Sequence, residues 1–291
     1  MKDRIDMKKT VQRFLIFFLG IPLLIALVFF LPARNHLALN LLVAIVSILG
    51  AMEFQNILKQ KGLFIPLWKA ALFGGLIPAL ACAEISFNFN RAGTGLVFMA
   101  AISSLILSGI FSAPEKQNLF ISRVAAGFSV IIYPGLFLSW IIPMALLPKA
   151  AINIIVYLLI VFMNDSAAWA AGMLFGKGNQ GIFPVSPQKS IAGYAGGTLA
   201  SVLIAIGGSL LFPEAFASRL LPLLPAGVVL GLCTSIMANL GDLGESVLKR
   251  SAGIKDSGML IPGRGGILDS IDSHTLAAPV YYLFYRLLFV C

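Results

Sequence analysis

Nine apolar runs, each near 20 residues, constrain this chain more than any other feature of it. They fall at about 12–32, 37–58, 66–84, 93–113, 121–147, 151–175, 194–213, 222–241 and 274–291. A helix needs about 20 mostly apolar residues to cross a bilayer. Inside lipid every backbone polar group must find its partner within the segment, so runs of this length fold as helices. The expected fold class is therefore all-α, a polytopic integral membrane protein of about nine transmembrane helices with a polar cleft facing the cytosol. Composition agrees: 59% of the chain is hydrophobic and 11% is charged, against about 25% charged in soluble proteins. So few charges exclude a cytosolic enzyme, a disordered tail and a coiled coil. Pro134-Gly135 and Pro143 are expected to kink or split the fifth run. The first run follows Lys2, Arg4, Lys8, Lys9 and Arg13, as in a signal peptide. Its apolar core is longer than such a peptide needs and no small-residue cleavage site follows, so it is read as a helix. No repeat, linker or soluble segment stands out. The expectation is one membrane domain over 1–291, with 1–150 supplying helices and 151–291 supplying the motifs.

Charge orients these helices. The balance is 21 Lys+Arg minus 12 Asp+Glu, or +9, which in a soluble chain would raise nucleic acid as a partner. Here it reads as cytosolic loop charge instead. With the N-terminus in the cytosol, 15 basic residues lie on the cytosolic side, among them Lys59, Lys61, Lys116, Arg123 and Lys177. The opposite side has five: Arg34, Arg91, Lys149, Arg219 and Arg286. The polar loops 176–193 and 250–273 then both face the cytosol. Cys82, Cys233 and Cys291 are far apart in apolar surroundings and are read as packing thiols, not as a zinc site or disulfide framework.

In a chain this poor in charge, the remaining charges locate the chemistry. Asp242, Glu245, Lys249, Arg250, Lys255, Asp256, Arg264, Asp269 and Asp272 are nine of the 33 charged residues, packed into 31 positions. A solvated cytosolic loop explains the four basic residues but not five acids, which contribute little to topology. If the eighth run continues as a helix past Gly241, then Asp242, Glu245, Ser246 and Lys249 share one stripe at i, i+3, i+4 and i+7. Asp269 and Asp272 likewise share a helical face. Carboxylates brought together repel, and a hard divalent cation resolves the repulsion. Mg²⁺ commonly takes one or two carboxylates plus substrate phosphates, and two ions can share such a set. Between the acids, Ile261-Pro262-Gly263-Arg264-Gly265-Gly266 is a flexible turn that permits close approach to an anion, with Arg264 able to fork onto phosphate.

These residues carry a resemblance. Ser246 through Asp272, including Lys249-Arg250, Lys255-Asp256-Ser257-Gly258 and Ile261-Pro262-Gly263-Arg264-Gly265-Gly266, resembles the signature of the phosphatidate cytidylyltransferases, or CDP-diacylglycerol synthases. The match runs over 27 residues at fixed spacing. Arg264 stands where the family usually has His, and Ser270 where it has Arg. Asp165 through Lys177, with Trp169, Gly172 and Gly176, is similar to a family helix, and Ser186 through Gly193 to a family loop, with Ala192 in place of Glu. The resemblance implies transfer of a cytidylyl group from CTP to phosphatidic acid in the membrane, giving CDP-diacylglycerol and pyrophosphate in phospholipid biosynthesis. It implies Mg²⁺, and a second cation is compatible. It implies catalytic roles for Asp242, Lys249, Asp269 and Asp272, with Asp242, Asp269 and Asp272 as the metal ligands. Substrate contacts are expected from Asp165, Lys189, Ser190, Arg250, Lys255, Asp256 and Arg264. The implied location is a bacterial inner (plasma) membrane with the active site cytosolic; a homodimer is a candidate assembly.

Other readings stand beside these. Lys249 and Arg250 also suit snorkelling to lipid headgroups, and Ser190 also suits a helix cap. Asp165, an acid within an apolar helix, is a site candidate by default, or else a partner for a loop cation or a neighbouring helix. Glu245 is a ligand or a partner of Lys249, and Glu53 is read as a lysine partner. Gly172 and Gly176 read as helix packing. His36 and His274 support neither a metal site nor a catalytic triad. A CTP-dependent polyprenol or phytol kinase and an ion-coupled transporter are the alternative functions.

Overall fold

The computed structural model describes residues 16–90, 92–111, 114–218 and 220–290. Lys2, Arg4, Lys8, Lys9, Arg13, Arg91, Arg219 and Cys291 lie outside them, as does the start of the first apolar run. Nearly all of the described chain with regular structure is helical. The exceptions are two isolated antiparallel bridges, Gln180 with Ser190 and Ile261 with Gly265. We label the α-helices α1 (Ile21–Phe30), α2 (Ala33–Lys59), α3 (Leu67–Ser86), α4 (Ala92–Ile110), α5 (Phe120–Val130), α6 (Ala150–Phe175), α7 (Ile191–Leu211), α8 (Leu223–Ser251) and α9 (Leu268–Tyr285).

Seven segments among the described residues are long and apolar enough to cross a membrane: α2, α3, α4, Gln117–Leu146, α6, α7 and α8. Many of their side chains are apolar and outward-facing, such as Leu96 and Ile110 on α4, which are 66% and 69% exposed. A surface of that kind suits lipid rather than water, and the chain is an integral membrane protein. The first of the nine expected runs gives only a shorter apolar helix, Phe18–Phe30. The last gives α9, which starts at Leu268, six residues ahead of the expected run, and so takes Asp269 and Asp272 into its first turns. The eighth run does continue as helix past Gly241, to Ser251. Around Pro134 the fifth run stays helical but widens into a π-type turn over Ile131–Phe137, because proline lacks the N–H an α-helix requires there. A tighter turn follows at Ile142–Leu146, beside Pro143.

The chain divides into two compact units, Met1–Ser139 with Ala252–Ile271, and Trp140–Ser251 with Asp272–Cys291. In the first, α2 and α3 pack at backbone distance: a Cβ on Gly74 would fall 2.2 Å from that of Ala51. The buried Ser47 hydroxyl sits there, 2.8 Å from the Gly74 carbonyl oxygen and 2.5 Å from that of Pro134. α2 opens on a left-handed turn, with φ of 51°, 54° and 58° at Arg34, Asn35 and His36, before its regular helix begins. Cys82 is buried in α3 as a free thiol.

In the second unit α6, α7 and α8 pack through small residues. A Cβ on Gly197 would meet the Asn164 carbonyl oxygen at 2.6 Å, and one on Gly231 would meet the Ser201 carbonyl oxygen at 2.8 Å. Close backbone approach of this sort is how helices associate in lipid, with polar side chains hydrogen-bonding across them. Here Asn164 accepts from Ser235 Oγ (2.7 Å) and donates to Asn239 Oδ1 (3.0 Å). The other side of α6 meets the far turns of α9, where Tyr157, Tyr281, Tyr285 and Phe216 are fully buried. The tyrosine hydroxyls are satisfied locally: Tyr281 donates to the Asn153 carbonyl at 3.1 Å, and Asn153 Nδ2 lies 3.0 Å from the Tyr285 hydroxyl.

Candidate active site

The expected site residues fall into two groups, one in each unit. In the first unit the segment 252–267 forms a compact loop. Pro262 and Gly263 occupy the corners of a tight turn closed by Arg264 N donating to the Ile261 carbonyl at 3.1 Å. Gly263 has φ +76°, the left-handed value a type II turn requires at that corner, with proline ahead of it. The bridge between Ile261 and Gly265, with N···O distances of 2.8 and 3.0 Å, then returns the chain toward α9. Asp269, in the first turn of α9, closes the loop. Its Oδ2 accepts from Gly266 N (2.7 Å) and Ser257 N (2.9 Å), and lies 3.0 Å from Ser257 Oγ. A helix's first amides lack intrahelical partners, and a further acid serves one of them. Glu53 Oε2, reaching in from α2, accepts from Leu268 N at 2.9 Å and lies 3.0 Å from Ser257 Oγ.

Among the described residues Glu53 meets Ser257 and the Leu268 amide, not the lysine that its place in the sequence suggested. It is a fixture of the signature loop, as is Ser257, which had no expected role. The available signal was the one that singled out Asp165, a lone acid in an apolar run. Lys255 and Asp256 are exposed on this loop, and Arg264 is half-buried. Ser270, standing where the resemblance expects Arg, spends its hydroxyl on the Gly266 carbonyl at 3.3 Å.

In the second unit, α8 carries Asp242, Glu245 and Lys249 on the expected stripe. Lys249 Nζ pairs with Glu245 Oε2 at 2.5 Å, one turn apart, and the Glu245 side chain is completely buried. Asp242 is ion-paired with Lys189. That lysine ends the loop 176–190, which folds back on itself: Gly181 N donates to the Lys189 carbonyl at 3.1 Å, and Ile191 N to that of Asn179 at 3.0 Å. Ser190 caps α7, its Oγ accepting from Gly193 N at 3.0 Å, which is the helix-cap reading of this residue. Gly172 and Gly176 face this corner as packing residues. A Cβ on either would stand 3.2 or 3.0 Å from Ser190 Oγ.

Asp272 is 8% exposed, and the negative charges of Asp242, Glu245 and Asp165 all act on it. Asp165 in turn receives the Ser273 hydroxyl at 3.3 Å. Like charges gathered around a buried carboxylate are costly unless a cation neutralises them. The donors are hard oxygens of the type that Mg²⁺ prefers. Among the described residues, no three His, Cys, Asp or Glu side chains already stand in metal-holding geometry. Mg²⁺ dehydrates reluctantly and draws several ligands from water and substrate phosphate, so a ready-made protein cage is not required. The donor chemistry therefore fits the ion. His274 is buried in the unit and stands 3.1 Å from the Tyr157 hydroxyl through Nδ1.

Each group by itself combines acids with cations: Asp269 closes the loop that carries Lys255 and Arg264 in the first unit, and Asp242, Glu245 and Asp272 lie in the second unit with Lys189, Lys249 and Arg250. The model of the cytidylyltransferase family matches residues 11–288, which is nearly the whole chain and spans both groups. The chain belongs to the cytidylyltransferase family.

Curated relatives agree with that membership. This cytidylyltransferase is 31% identical to a phosphatidate cytidylyltransferase of Staphylococcus epidermidis over 264 residues, covering 88% of this chain and 94% of that one. It is 34% identical to the protein of the same name from Thermotoga maritima over 204 residues, or 67% and 73% of the two chains. With that of Synechocystis sp. the identity is 38% over 136 residues, and the match spans less than half of the relative, 44% of its length. The resemblance read from the 27-residue signature thus extends over the cytidylyltransferase as a whole.

Proposed function

We propose that this cytidylyltransferase joins CTP to phosphatidic acid, releasing pyrophosphate and forming CDP-diacylglycerol. The observation that carries the reading is the match across residues 11–288, with relatives of nearly equal length named for phosphatidate. A phosphate oxygen of the lipid attacks the α-phosphorus of CTP in line; the bond from that phosphorus to the bridging oxygen breaks, and pyrophosphate leaves with the electron pair. The lipid phosphate is already anionic, so no strong general base is needed, and the protein's task is positioning and charge stabilisation.

In this reading Asp242, Asp269 and Asp272 are the ligands of Mg²⁺, which supplies neutralisation of charge on the transferring phosphoryl group when bound. Lys249, Arg250 and Arg264 meet the phosphates as pyrophosphate departs. Lys189 exchanges its partner, leaving Asp242 for triphosphate as nucleotide enters. Lys255, Asp256 and Asp165 complete the substrate contacts, and Ser190 contributes by fixing the Lys189 corner. Nine spans, counting Phe18–Phe30 and α9 with its tail, would place the N-terminus and both motif loops in the cytosol of a bacterium bounded by its inner membrane.

Label transfer in purified membranes tests the reaction. With CTP labelled at the α-phosphorus, radioactivity should enter lipid; entry of γ-label would mean a kinase, and no labelled lipid at all would reject both. Chelation of Mg²⁺ should stop the reaction. Asp269→Ala, assayed beside wild type, should lower turnover by about 10²-fold or more. Full activity in that variant would remove Asp269 from the ligand set.

A further inference from the structure

Three observations in the first unit converge on Glu53, which neither the signature nor the reaction assigns. First, its carboxylate joins elements far apart in sequence, reaching from α2 to Ser257 and Leu268 across 204 and 215 positions. Second, it lies in a cradle made by two glycines of the signature loop. A Cβ on Gly258 would stand 2.5 Å from Glu53 Oε1, and one on Gly266 would stand 2.2 Å from Oε2. Third, Ser257 Oγ is 3.0 Å from Glu53 Oε2 and 3.0 Å from Asp269 Oδ2. It also lies 3.3 Å from the Asp269 amide. One hydroxyl therefore couples the α2 acid to the α9 acid.

We propose that Glu53 is a positioning residue for cytidylyl transfer: it holds the signature loop and the first turn of α9 so that Arg264 and Asp269 are presented in one fixed geometry. A carboxylate oxygen is suited to this because it accepts from several donors at once. The two glycines are then a fit to the acid rather than a phosphate cradle at those positions. The kinetic part of this inference rests on the proposed cytidylyl transfer; the structural part does not.

The test compares Glu53→Gln, Glu53→Leu and Ser257→Ala in the full-length protein in lipid nanodiscs. Glutamine retains an oxygen that can accept from Leu268 N and Ser257, and leucine does not. In Glu53→Leu, amide hydrogen exchange at Leu268 and Gly266 should quicken by about tenfold or more. Exchange at Thr94, whose amide is held by Glu84 in the same unit, should not change. In the same variant kcat should fall by about tenfold or more, with KM for phosphatidate within about twofold of wild type. Glu53→Gln should restore both to within about threefold. If Glu53→Leu does not fold, Ser257→Ala carries the test, with faster exchange at Gly266 and a lower kcat expected in the same sense. Unchanged Leu268 exchange or wild-type kcat in a folded Glu53→Leu protein overturns the proposal. So does a glutamine variant as impaired as the leucine one, or a serine variant like wild type in both respects. Should wild type yield no CDP-diacylglycerol, the reaction is misassigned, and the exchange measurements still decide whether Glu53 holds the loop.

Discussion

Gly266 shows how narrow the tolerances of the signature loop are. Any side chain there would begin 2.1 Å from Ser257 Oγ and 2.2 Å from Glu53 Oε2. Gly266→Ala should cost about 1–3 kcal/mol through forced displacement, read as a lower melting temperature in detergent, and should take turnover down with it. Gly263→Ala meets a different obstacle. Its φ of +76° penalises a β-carbon by about 1–2 kcal/mol through the backbone of the turn itself. It should therefore keep more activity than Gly266→Ala at comparable stability loss; the reverse order would mean that the turn, not the acid cradle, limits the site. Lys189 bears on the nucleotide side. Lys189→Met removes a cation from Asp242 and should reduce kcat/KM for CTP by about 10²-fold, measured in membranes at saturating phosphatidate.

At the scale of elements, spacing within one helix was readable and contacts between helices were not. Asp242, Glu245 and Lys249 sit on one stripe because a helix repeats every 3.6 residues, and the sequence alone carries that period. The Pro262-Gly263 turn was legible for a similar reason: its chemistry is local. Lys189 meeting Asp242, 53 positions away, and Glu53 meeting the loop depend on how separate helices pack, which one chain read without its relatives does not record. Helix ends were also hard to place. α9 starts ahead of its apolar run because Glu53 and Asp269 supply acceptors for the start of α9 and the loop before it, a tertiary cause for a local boundary. The pair on α8 gives a prediction of its own. Glu245 is fully buried and Lys249 nearly so, at 13% side-chain exposure, and removing one member of a buried pair is costly. Lys249→Ala should destabilise by about 3 kcal/mol, seen in thermal melts. The double variant with Glu245→Ala should lose less than the two single losses combined.

For the molecule as a whole, scarcity of charge had two uses, to orient the helices and to mark the chemistry. The proposed topology puts the loops 176–190 and 252–267 on the same face of the membrane. Single cysteines at Gln180 and Met259, the latter 96% exposed, should both react with a membrane-impermeant maleimide in inside-out vesicles and not in intact spheroplasts. Cys82, Cys233 and Cys291 would first be replaced by alanine to remove background. Labelling from opposite sides would break the nine-span arrangement while leaving the family membership intact.

The left-handed turn at Arg34–His36 also fixes a depth. Regular helix in α2 starts only at Leu37, so the 23 residues from there to Lys59 make a rod of about 34 Å at 1.5 Å per residue, close to the roughly 30 Å of hydrocarbon. Glu53 lies 16 residues along that rod, about 24 Å from its start. The backward turn thus acts as a stop on a ruler: it sets where the spanning length begins, and so how close to the far interface the acid is delivered. A residue inserted between Leu37 and Glu53 should disturb the signature loop, although no residue of the loop itself had been altered.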